Sequence, residues 1–112
     1  MIYKSFKDTE LFEGETNKTY EYNIEDNDIN YCIVEINGRF PLEGRLMNEV
    51  CKEMVHVLDG VGNIVIEDKT INLKKDDVIL IPPMSKYYWE GKLRLGASCS
   101  PAWYKGQSKN VL

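Results

Sequence analysis

Apolar and polar positions along this chain alternate in short runs and never settle into a helical period. From Thr19 onward the runs TYEYNI, YCIVEI, EMVHVL, GNIVIE, TINLK, DVILI, YYW and KLRLGASC are rich in Val, Ile, Tyr and Leu. Such residues suit a pleated, half-buried surface, so each run predicts a strand. Turn chemistry separates the runs at residues 25–30, Asn37-Gly38, Asp59-Gly60, residues 67–69, residues 75–77, Pro82-Pro83 and Glu90-Gly91. No window of a dozen residues places apolar positions at helical spacing behind a cap, and the best candidate, Leu42 to Lys52, is interrupted by Gly44. Evenly spaced short strands predict an all-β sandwich or barrel.

Residues 1–18 mix apolar and charged positions without sustained periodicity and read as an N-terminal arm with at most one short strand. Residues 19–104 form the barrel and 105–112 a C-terminal tail. No repeat or linker divides the chain, and no helix-turn-helix follows the β region. At 112 residues it builds one core, burying roughly 65% of the surface its unfolded form exposes, without staples. The cysteines, Cys32, Cys51 and Cys99, are odd in number and form no CxxC, so they read as reduced, apolar residues. A formal charge of −4 argues against nucleic acid as partner. No apolar stretch is long enough to span a membrane and no signal peptide precedes the domain, which leads us to expect a soluble, cytoplasmic protein.

Two ordered motifs carry a resemblance. Glu53 stands seven residues before Gly60 within a segment ending VLDG, and Asp76-Asp77 is followed by Pro82 and then Tyr87. This order resembles the cupin superfamily, whose first motif ends in E-x6-G and whose second reads G-D-x4-P-x4-H. The likeness spans Ile33 to Trp103 and is closest to small single-domain cupins. It implies a jelly-roll barrel (double-stranded β-helix) with a ligand or metal pocket between its sheets. Relatives of this kind commonly pair through an outer sheet, which implies a homodimer with Met54 and His56 at the interface.

A typical cupin holds its ion with two histidines, the motif glutamate and a third histidine, and those places fall here on Met47, Glu49, Glu53 and Tyr87. Imidazole is absent from all three histidine places, so the expectation is no transition-metal site and no cofactor. If an ion binds at all, Glu49, Glu53 and Tyr87 would supply oxygen to a hard one such as magnesium, calcium or manganese. His56, on the opposite strand parity to Glu53, should face away.

Were residues 47 to 53 one strand, Met47, Glu49, Cys51 and Glu53 would share a face. Two carboxylates side by side in a desolvated cavity would push one pKa upward. Tyr87 adds a phenol, with Trp89 on the same face and Trp103 as a second stacking candidate, plug or lid. Cys51 beside carboxylates reads as packing rather than as a nucleophile. The leading expectation is a metal-independent small-molecule-binding cupin. An alternative is an isomerase or epimerase acting on a small hydroxy-carbonyl or sugar substrate, with one glutamate as base and Tyr87 stabilising the enolate. A third is a residual divalent-metal enzyme such as a dioxygenase. Against catalysis stands a satisfied network in which Arg39, Arg45 or Lys52 neutralises the glutamates.

Overall fold

A computed structural model describes all residues, 1–112. After a 3-10 turn at Phe6–Asp8 the chain runs through β1 (Glu10–Glu13), β2 (Asn17–Glu21), β3 (Cys32–Phe40), β4 (Arg45–Asn48), β5 (Lys52–Ile66), β6 (Lys69–Lys74), β7 (Val78–Ile81) and β8 (Lys86–Ser100). A second 3-10 turn, Lys105–Gln107, leads into β9 (Ser108–Val111). There is no α-helix, and no helix is long and apolar enough to cross a membrane. All pairings are antiparallel, with β8 between β3 and β5 and also pairing β4, while β1 and β2 extend one edge and β9 the other. The curled sheet encloses a core of Ile36, Val55, Val57, Ile64, Leu73, Ile81, Tyr87, Trp89, Leu93, Leu95 and Ala97.

Three of the expected turns are not turns. Asn37-Gly38, Asp59-Gly60 and Glu90-Gly91 lie inside β3, β5 and β8, which run on through them. Gly38, Gly91 and Gly62 stand opposite one another on three adjacent strands. A Cβ on Gly91 would come within 2.5 Å of the Gly62 Cα and 2.7 Å of the Val61 carbonyl. Gly38 and Gly91 also take φ of +114° and +130°, a region L side chains rarely adopt. These glycines let long strands bend against one another, which is how two fifteen-residue strands close around a core. At Asp59-Gly60 the device is a bulge: the register with β8 slips between Val57 and Asp59, leaving Leu58 unpaired. One extra residue inverts strand parity, so Glu53, Val55 and Val57 face inward before it and Ile64 and Ile66 after it.

The ends hold more structure than the sequence pattern suggests. Within the arm, β1 pairs with β2 through Glu13↔Lys18, and Phe6 packs on Tyr20 at 4.9 Å. Every residue of β1 is exposed, which leaves no period-2 burial signal to read. The tail forms a paired strand, β9, against β4, with Gln107 buried at its start. On the outer face Met54, Val78 and Leu80 form an exposed apolar strip, Met54 opposite Leu80 and His56 opposite Val78. His56 faces outward as expected, and its Nε2 lies 3.2 Å from the Asp76 carboxylate.

Gly91→Ala tests the bend. The added methyl meets backbone that has nowhere to move, so urea unfolding should show a loss of about 3 kcal/mol. A stability equal to wild type would mean that the glycine row does not set the curvature.

Candidate functional site

The site is built from the inward faces of β5 and β8 near the barrel end. Glu53 is opposite Cys99, and Cys32 on β3 is opposite Ala97, two residues further along β8. The Tyr87 hydroxyl donates to Glu53 Oε1 at 3.0 Å, and the Cys99 thiol lies 3.5 Å from Glu53 Oε2. Trp89 meets the Tyr87 ring edge-on, centroids 6.0 Å apart, and so fixes the phenol from the core side. Both carboxyl oxygens therefore have donors, yet none of the ion pairs in the molecule includes Glu53.

That combination sets the electrostatics. Burial pushes the Glu53 carboxyl above its ordinary 4.5, and the bonds from Tyr87 and Cys99 offset only part of the rise. Burial and the neighbouring Glu53 charge likewise push the Tyr87 phenol well above 10.0. Burial is also the main cause of the upward shifts at Cys99, Cys32 and Cys51, with the Glu53 charge adding to each. All three cysteines, scattered in sequence, thus surround one carboxyl as protonated thiols. They are free and reduced.

Glu49 does not join them. It is exposed, with its carboxylate 3.8 Å from the Lys109 ammonium, so the expected pair of adjacent glutamates is absent. The expectation failed because residues 47 to 53 are not one strand: β4 ends at Asn48 and β5 begins at Lys52. Across that break the parity inverts. Leu46, opposite Tyr87, faces the core, whereas Met47, opposite Lys86, is buried on the other side of the sheet and does not line the site. Cys51 is fully buried and Trp89 belongs to the core. Trp103 is 42% exposed. Arg39, Arg45 and Lys52 form no ion pair with either glutamate.

Residues that sequence reasoning missed hold the break together. The Gln107 Oε1 accepts from the backbone N–H groups of Val50 and Cys51 at 3.2 and 3.1 Å, and its Nε2 donates to Asn48 Oδ1 at 2.9 Å. The Asn48 side chain lies close enough to the Tyr87 hydroxyl to offset part of its shift. Gln107 thus holds Asn48 beside the Tyr87–Glu53 pair. Glu21, also missed, stands opposite Cys32 on β2, and burial raises its carboxyl too. Glu21, Cys32 and Glu53 are each half-buried. A concavity of about 680 Å³ lies elsewhere, along β2, β3, β5 and β8 and the turn before β2, and none of these residues lines it.

The histidine-based ion site that the motifs imply does not fit these residues. No group of three or more His, Cys, Asp or Glu side chains is placed to hold a metal ion. The oxygen set Glu49, Glu53 and Tyr87 is split, with Glu49 paired to Lys109 outside.

No family model matches the chain, and no curated protein matches it in sequence. Among solved structures, Streptomyces PAC13 bound to uridine, in a variant form, is similar at TM-score 0.91 and 15% identity, covering 100% of this chain and 92% of that one. Pac13 is described as a nucleoside dehydratase with a β-barrel. Ectoine synthase from P. lautus is similar at TM-score 0.80 and 13% identity, covering 100% and 91%. A Lactobacillus farciminis oxalate decarboxylase with formate follows at 0.76 and 17%, this chain spanning 34% of its length. At such identities the likeness concerns architecture: the chain has the cupin β-barrel fold.

Because the native state holds the Glu53 proton more tightly than the unfolded chain, it binds more protons above pH 4.5, and unfolding free energy falls as pH rises through the raised pKa. Denaturant unfolding from pH 4.5 upward should show this decline, and Glu53→Gln should flatten it. Identical slopes in both proteins would show that Glu53 ionises as readily folded as unfolded.

Proposed function

We propose that this cupin-fold chain is a small-molecule enzyme working by proton transfer at Glu53, on a hydroxy-carbonyl, sugar or nucleoside-like substrate. The observation carrying this reading is a half-buried glutamate whose carboxyl, raised in pKa by burial, is held by a phenol and a thiol, with no cation to lock it ionised. A carboxyl tuned toward neutrality gives and takes protons efficiently, which elimination, isomerisation and epimerisation all require. The similar barrels named above include a dehydratase, a synthase and a decarboxylase, and support a barrel of this shape hosting small-molecule chemistry.

Roles follow from the geometry. Glu53 is the proton-transfer group. Tyr87 is a positioning residue rather than an enolate stabiliser, since its only hydroxyl proton is committed to Glu53 and the side chain is 3% exposed. Cys99 steadies the second carboxyl oxygen. Asn48 and Gln107 support Tyr87 from behind.

The same commitment of both oxygens supports a second reading, a binding module in which the network only shapes the cavity. Uridine and a panel of small aldoses and hydroxy-ketones separate the two. Wild-type protein in D2O should exchange carbon-bound hydrogen, or eliminate water, on one class. Glu53→Gln should lose at least ~100-fold in turnover while retaining affinity. Saturable binding with no turnover, equal in Glu53→Gln, would leave the binding module as the function.

A further inference from the structure

A second site lies on the opposite face of β8 from Tyr87. Lys86 and Tyr88 point outward there, beside Arg39 from β3 and Arg45 from β4. The Arg39 guanidinium sits 3.9 Å above the Tyr88 ring, and Arg45 is 5.5 Å from the same ring. Arg39 donates to the carbonyls of Pro41 and Gly44 at 2.7 and 3.0 Å, and Arg45 to that of Glu67 at 2.7 Å. Neutral carbonyls and an aromatic face therefore orient both guanidiniums, and each keeps further N–H groups free.

None of these cations has an acidic partner. Arg39, Arg45 and Lys86 are absent from every ion pair in the molecule. The one acidic side chain lining the pocket, Glu67, accepts the Lys86 backbone N–H at 2.9 Å. Three cationic side chains thus border the pocket against one acidic side chain, on a chain whose overall charge is −4. They border a pocket of about 280 Å³, below the size range of drug-like ligands and suited to a compact group.

We propose that this pocket is an anion site for the phosphate group of a small phosphomonoester. Two pre-oriented guanidiniums and an ammonium match the charge and the several acceptor oxygens of a phosphate dianion better than they match a carboxylate. A polyanion is disfavoured, because the acidic surroundings repel the rest of it. The inference is independent of the Glu53 chemistry.

Titrating the full chain with inorganic phosphate and with glycerol 3-phosphate, followed by amide chemical shifts, tests it, with acetate at matched ionic strength as comparison. Saturating shifts centred on Gly44, Arg45 and Lys86 are expected. Lys86→Gln should weaken phosphate about tenfold, by removal of one charge-assisted contact. Its melting temperature in phosphate-free buffer should be unchanged, since the Arg45–Glu67 bond stays. Arg45→Gln should weaken binding similarly, and Glu53→Gln should leave it as in wild type. Shifts that never saturate, equal affinity for acetate, or undiminished phosphate affinity in Lys86→Gln would each overturn the proposal.

Discussion

The structure turns on one carboxyl buried without a counter-charge. Glu53 lies on the inner face of β5 between a phenol and a thiol, and no lysine, arginine or histidine reaches it. Burying such a group ionised is expensive, so burial shifts its balance toward the neutral form, and the Tyr87 and Cys99 donors moderate the cost. Much of the surrounding chain serves that placement. The break between β4 and β5 turns Glu49 outward, and the tail returns so that Gln107 satisfies the backbone exposed by the break. The three thiols stay protonated around the carboxyl and add no charge of their own.

Most of the architecture was legible from alternation and turn chemistry. Apart from β4, the strands of the barrel lie where β-branched and aromatic runs predict them, and turns at residues 25–30, 67–68, 75–77 and Pro82-Pro83 separate them as expected. What misled was glycine. Asn-Gly, Asp-Gly and Glu-Gly pairs signal hairpins, but in β3, β5 and β8 the glycines serve close backbone approach, which local sequence does not reveal. The short strands β4 and β9 have no counterpart among the predicted runs, and β1 only the one short strand allowed to the arm, because backbone pairing, rather than an alternating buried face, defines them.

The site was half legible. The ordered motifs located Glu53 and Tyr87, and their contact is observed. The second glutamate was misplaced by a parity argument that assumes an unbroken strand: one irregular step moved Glu49 to the surface and Met47 to the other face. Asn48, Gln107 and Glu21 had no signal, because each joins the site through long-range pairing. The cysteines illustrate the same limit, since spacing along the chain said nothing of their convergence on one carboxyl.

Direct titration of the Glu53 side-chain carboxyl carbon by NMR reaches the heart of this account. A midpoint clearly above 4.5, moving further upward when the phenolic donor is removed in Tyr87→Phe, is the predicted result. A midpoint at or below 4.5 would mean the carboxyl is ionised across the working range, and the proton-transfer role would have to be abandoned.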